Sequence, residues 1–155
     1  MKRAFFAGSM TVWLAAGVTL LWLAPAGASG QADLAPLRQA TARFHSLDAT
    51  RASGRVDLHL CVDQMGQHFA DPATFSDGVL DPTNPEAMVY ADDGNGHLRL
   101  VAVEWVSTTP GTVMNIPLHF NPDVGLWVLH AWVWSPNPDG MFADMNPRIG
   151  NCPQA

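Results

Sequence analysis

Positive charge is scarce in this chain. Its 155 residues carry 8 basic side chains against 14 acidic ones. Lys2 is the only lysine, and beyond residue 28 the basic residues are dispersed arginines. Nucleic-acid binding depends on clustered cations that release counterions from phosphates, so this composition excludes it. It also disfavours docking on an anionic membrane surface. Several motifs are missing as well. There is no Cys-x-x-Cys, His-x-His, His-Glu-x-x-His, Met-x-Met, Gly-x-Ser-x-Gly or nucleotide-binding loop. No local signature therefore names a redox, metallohydrolase or serine-hydrolase chemistry. Any site has to be assembled from separate segments.

One long apolar run is present, Ala4 to Leu23. Lys2 and Arg3 precede it, and Ala26-Gly27-Ala28 follows. This is the layout of a secretory signal, so residues 1–28 are expected to be removed and residues 29–155 to form a single domain. Retention of the run as a membrane anchor is the alternative, given its length. An exported protein meets an oxidising compartment, where Cys61 and Cys152, the only two cysteines, read as one disulfide. Closing a loop of roughly 90 residues would stabilise the fold by up to about 4–5 kcal/mol on the chain-entropy account. A cysteine-based metal or redox site is the competing reading, with no flanking histidine at Cys152 to favour it.

The periodicities predict an α+β fold, with one N-terminal helix packed on a curved antiparallel sheet of about five strands. Asp33 to Ala52 has helical spacing of Leu34, Leu37, Thr41 and Phe44, and Gly54 ends it. Val56, Leu58, Leu60 and Val62 alternate with Asp57, His59 and Cys61, as in a half-buried strand. Gln64 to Pro85 reads as loop, broken by Asp71-Pro72, Asp81-Pro82 and Asn84-Pro85. Two hairpins follow: Ala87–Ala91 with Leu98–Val106, and Met114–Phe120 with Leu126–Trp134. The tail from Ser135 is proline-rich and would be pinned by Cys152.

The last hairpin concentrates the unusual side chains. Trp127, Leu129, Ala131 and Val133 define one face of its second strand; Val128, His130, Trp132 and Trp134 define the other. His130 thus falls on an apolar, aromatic face. Glu104 lies in mid-strand among Leu98, Leu100, Ala102 and Val106, where a carboxylate needs a partner. His119 faces away from His130 if Phe120 pairs with Leu126, and a one-residue shift brings both to one face. His68, in Gly66-Gln67-His68-Phe69, sits at a loop edge with freedom to point into a cavity. His45 is placed at the helix–sheet boundary; His59 and His97 are read as solvated.

The segments Ala42-Arg43-Phe44-His45-Ser46-Leu47-Asp48-Ala49, Gly66-Gln67-His68-Phe69 and His130-Ala131-Trp132-Val133-Trp134 through Asn137-Pro138-Asp139-Gly140-Met141-Phe142 resemble a family of uncharacterised secreted bacterial proteins. The resemblance spans nearly the whole chain after residue 28. It implies an exported single domain and no activity.

Three functional readings follow. The leading one is a pocket between the helix, the Gln64–Pro85 loop and the sheet. Trp132, Trp134 and Phe69 would line it and contact a small ligand, while His68, His119, His130 and Glu104 would hold a metal. Imidazoles with a carboxylate suit zinc or copper, and Met65, Met88, Met114, Met141 and Met145 offer soft donors. The second reading is a hydrolase-like enzyme using His130 and Glu104 as an acid–base pair. The third is a structural or interaction module of the cell envelope whose tryptophans are simply core.

Overall fold

Six segments of the chain pair into a sheet whose central strands are buried on both faces, and those two faces determine where the site lies. In the computed structural model, which describes residues 34–152, the sheet strands are β1 (Val56–Val62), β2 (Gly66–Ala70), β3 (Ala87–Asp92), β4 (Leu98–Ser107), β7 (His119–Asn121) and β8 (Leu126–Ala131). Their order is β1-β2-β3-β4-β8-β7, and every neighbouring pair is antiparallel. Two short strands, β5 (Thr112–Val113) and β6 (Ile116–Pro117), form a separate ribbon. The α+β class and the helix-covered, curled sheet are as expected, with six strands in place of about five. The expected signal segment, residues 1–28, and the Asp33 cap lie outside the described residues. Those residues contain no helix long and apolar enough to cross a membrane.

The helical region is broken where one continuous helix is expected. It comprises α1 (Ala35–Thr41), a 3-10 turn (Ala42–His45) and α2 (Leu47–Ala52). Two competitors for the backbone explain the break. Ser46 is extended, and its side chain accepts from the Ala49 N–H at the start of α2. The Phe44 carbonyl, which a continuous helix would pair four residues on, accepts the Tyr90 hydroxyl at 2.5 Å. Leu37 and Phe44 are buried against one sheet face with Phe69, Met88, Tyr90, Trp105 and Leu129. Each such side chain contributes about 1.5–3 kcal/mol by leaving water.

β2 is the element that the turn-rich composition hides. Its residues fall in the stretch expected to be loop, yet they pair with both β1 and β3. Gly66 permits the turn into it: its φ is +122°, and a Cβ there would lie 2.2 Å from the Tyr90 carbonyl oxygen. Met114 to Phe120 is likewise not one strand. Met114 and Asn115 adopt positive φ (51° and 64°), turning the chain between β5 and β6.

Cys61 and Cys152 form the expected disulfide, with Cα atoms 5.9 Å apart. It anchors the tail beside the β1–β2 turn, where Gln64 donates to the Gly150 carbonyl and Cys152 donates to Asp63. Trp132 fixes the preceding part of the tail: its indole N–H donates to the Ala143 carbonyl at 2.6 Å and its backbone N–H to Met141. Asp144 and Met145 are thereby carried to the rim of the sheet face that the helices leave uncovered.

Candidate metal centre

Strand pairing brings three of the four expected metal ligands together. Ala87 is opposite Glu104, and Glu104 is opposite His130, so these side chains share a face in adjacent strands. Ala70 continues the row through its pairing with Ala87. Small side chains at Ala70, Ala87 and Ala102 leave room around the carboxylate, and His68 of β2 reaches across β3 to it. The His130 Nε2 lies 3.3 Å from one Glu104 oxygen and the His68 Nε2 lies 3.7 Å from the other. One donor atom from each of His68, Glu104 and His130 falls within 4.8 Å of the others. All three residues are buried, His130 to 1 % exposure.

A bulge in β4 decides which of its side chains share the face of Glu104. The register of β4 slips between Val89 and Tyr90 of its partner, so Leu100 joins the helix-side core with Tyr90 while Ala102, Glu104 and Val106 keep the other face. The expected grouping of Glu104 with Leu98 and Leu100 is corrected accordingly. A second irregularity, in β1 between Asp57 and Cys61, contains Leu60, whose carbonyl lies 3.1 Å from His68 Nδ1. Donation from Nδ1 to that carbonyl leaves the His68 Nε2 lone pair directed at Glu104.

His119 occupies the alternative register. It pairs with Val128, and Phe120 pairs with Trp127, which puts His119 on the His130 side of the hairpin. It is still not in the cluster. Its Nε2 contacts Asp144 at 3.2 Å, and the same Asp144 oxygen lies 3.9 Å from His130 Nδ1. A line of ionisable groups therefore runs from half-exposed His119 and Asp144 to the buried trio. No local signature in the sequence singles out Asp144, because the tail geometry that places it is set by contacts distant in the chain.

The expected aromatic lining is also corrected. Phe69 points to the helix-side core, one residue out of phase with His68. Trp134 packs its ring against His45 and donates its indole N–H to Thr41. β8 ends at Ala131, so the alternation that would have kept Trp134 beside His130 does not extend that far. Trp132 remains near, stacked at 6.4 Å from the His130 ring, but it packs in a cluster with Val89, Val101 and Ile149. The cavity itself measures about 230 Å³ and is walled instead by Leu58, Val62, Phe75, Val106, Leu126 and Val128, with the trio also lining it. It lies on the face opposite α1 and α2, and the 3-10 turn Pro72–Ser76 contributes Phe75 to its wall. Residues of β1 at one sheet edge and β7 at the other both contribute, so the sheet curls around it. His59 and His97 are exposed, and His45 sits between helix and tail.

Electrostatics isolate His130 further. Both ring nitrogens are buried without a hydrogen-bond partner, and they are the only such side-chain atoms among the described residues. Burial disfavours the charged imidazole, but the carboxylates of Glu104 and then Asp144 outweigh it and raise the His130 pKa above its ordinary value. Asp144 is held below the usual carboxylate range, first by the His130 imidazole and then, against partial burial, by the charge of His119.

Comparison with protein families, curated proteins and solved structures finds no match to this chain.

Proposed function

We propose that this is an exported protein that binds a divalent transition-metal ion, Zn²⁺ or Cu²⁺, through His68 Nε2, His130 Nε2 and the Glu104 carboxylate. The observation that carries the reading is the pair of orphaned nitrogens on a fully buried histidine. Buried polar atoms are almost always satisfied, and an unsatisfied one costs about 1–3 kcal/mol. A metal on Nε2 would satisfy one of them. Asp144, drawn in from 3.9 Å, would accept from Nδ1, giving a carboxylate–histidine–metal line.

The donor set fits such an ion. Ligands at about 2.0–2.2 Å from a tetrahedral centre stand roughly 3.3–3.6 Å apart. The two imidazoles lie 3.3 and 3.7 Å from different Glu104 oxygens, and with one donor from each residue within 4.8 Å of the others a small closure would bring all three onto one ion. Two neutral imidazoles and one carboxylate suit zinc and copper better than the all-oxygen preference of Ca²⁺ or Mg²⁺. The disulfide is compatible with an extracytoplasmic location.

Titration calorimetry with Zn²⁺ and with Cu²⁺ tests the reading, comparing the protein with a His130→Ala variant. One ion per chain, lost in the variant, is the expected result. No binding, or binding indifferent to His130, rejects it. A metal-free acid–base pair of His130 and Glu104 requires instead that strong chelation leave any catalytic activity intact.

A further inference from the structure

We infer that the cavity above the cluster receives a small monocarboxylate with an apolar body, its head group completing the coordination of the metal. This rests on the metal reading and goes beyond it by naming the ligand class. Three protein donors leave a tetrahedral ion with an open position, and the cavity lined by Val106, Val128 and Leu126 adjoins the trio. A ligand entering that space therefore meets the ion with its leading atom and hydrocarbon with the rest.

Charge selects the head group. Within the cluster a divalent ion faces one carboxylate, Glu104, since His68 and His130 bind as neutral imidazoles. One positive charge is left uncompensated in a low-dielectric site, where its attraction for an anion is strong. Asp144 stands behind His130 on the Nδ1 side, is half exposed and does not line this cavity, so its charge reaches the ion only through the imidazole and is screened by solvent. Asp123 lines the cavity but is exposed to solvent at its rim, so its charge is screened.

The walls select the body. Apart from the cluster, the lining is hydrocarbon or thioether except for Asn121 and Asp123, which leaves no array of donors for a sugar or a peptide. Size sets the upper bound. A cavity of roughly 150 Å³ holds benzene, so about 230 Å³ accommodates on the order of nine or ten non-hydrogen atoms by the same scaling. Octanoate has that size, and longer acids would have to leave their tails outside.

Octanoate is the probe, titrated into metal-free, Zn²⁺-loaded and Co²⁺-loaded protein. The expected result is binding to the loaded forms that alters the visible d–d absorption of Co²⁺, and binding about tenfold or more weaker without metal. Leu126→Glu, which places a carboxylate in the wall away from the ligating atoms, should retain Co²⁺ and lose octanoate. If that variant does not fold, Val124→Glu at the exposed rim should weaken octanoate in the same direction. Co²⁺ binding with a spectrum indifferent to octanoate overturns the inference and leaves the metal site standing. Equal octanoate affinity with and without metal also overturns it. Failure to bind Zn²⁺, Cu²⁺ or Co²⁺ at all overturns both readings.

Discussion

On the helix side of the sheet, the buried polar atoms have partners. The Tyr90 hydroxyl donates to the Phe44 carbonyl and contacts Thr50, and the Trp105 indole donates to Asp81. Across the same strands, the other face buries His130 with neither ring nitrogen hydrogen-bonded, although carboxylates lie 3.3 and 3.9 Å away, and sets Glu104 against two imidazoles. The strands and the degree of burial are shared; the satisfaction of polar groups is not. Folding selects the first arrangement because unmade hydrogen bonds oppose it. The second is what a binding site requires, since ligand-directed groups must stay unmatched until the ligand arrives. The two buried glutamates repeat the contrast. Glu86 accepts the Val106 N–H at 2.9 Å, and its neighbour Arg55 is bound to carbonyls of Pro85 and Glu86. Among the described residues, Glu104 has imidazoles alone as its ion-pair partners.

If this contrast is correct, substitutions on the two faces should separate stability from binding. The largest loss of stability is expected from Trp105→Ala, which empties a fully buried site on the helix side: about 3–5 kcal/mol in urea unfolding, with the metal site unaffected in the surviving folded fraction. Next, Glu104→Leu should reduce Zn²⁺ affinity by about a hundredfold or more while changing metal-free stability by no more than about 1 kcal/mol, because a buried ionic cluster is weakly stabilising or worse. A large destabilisation in metal-free Glu104→Leu would mean that the cluster is structural and the contrast false.

Asp144→Asn should have a smaller effect, about tenfold in metal affinity, if Asp144 orients His130. Calorimetry that shows no change would remove Asp144 and His119 from the site. Glu86 supplies a pH test of the helix-side face. Burial pushes Glu86 from an ordinary 4.5 up to about 7, despite the Val106 hydrogen bond. A raised folded-state pKa gives stability that is complete below 4.5 and is lost as the pH climbs through about 7. Urea midpoints measured across that interval should fall less in Glu86→Gln than in the parent protein. The smallest effect is expected from His59→Ala: its exposed side chain makes only a surface contact with Asp57, and neither unfolding nor metal titration should register the change.

Much of the framework is legible as local pattern. The existence of β1 and of the Ala87–Val106 hairpin follows from sequence because each has an apolar period and clear turn residues. The alternation expected in β1 does not hold: its register shifts between Asp57 and Cys61, and Val56 and Leu60 are exposed. Glu104 and His130 stand out for a related reason: polar residues in long apolar runs conflict with their surroundings, and the conflict survives any detail of packing. The aromatic lining is not legible. Phe69 next to His68, and Trp134 two places beyond Trp132, show how one residue of phase or an early strand end transfers a ring to the opposite core. His119 was open to either register, and only pairing with Val128 settled its face.

Sequence by itself determined the low positive charge, the cysteine pair, the α+β class and the two polar residues that need explaining. These depend on composition and on spacing within single segments, which the chain carries wherever it folds. Tertiary structure decided that His68 joins Glu104 and His130, that Asp144 stands behind His130, and that the cavity opens away from the helices. Those facts depend on cross-strand register in β2, β3, β4 and β8, on an irregularity in β1, on the pairing of the last hairpin and on a tail held by Trp132 and the disulfide. Each is a long-range contact, and no local periodicity encodes where it brings the chain.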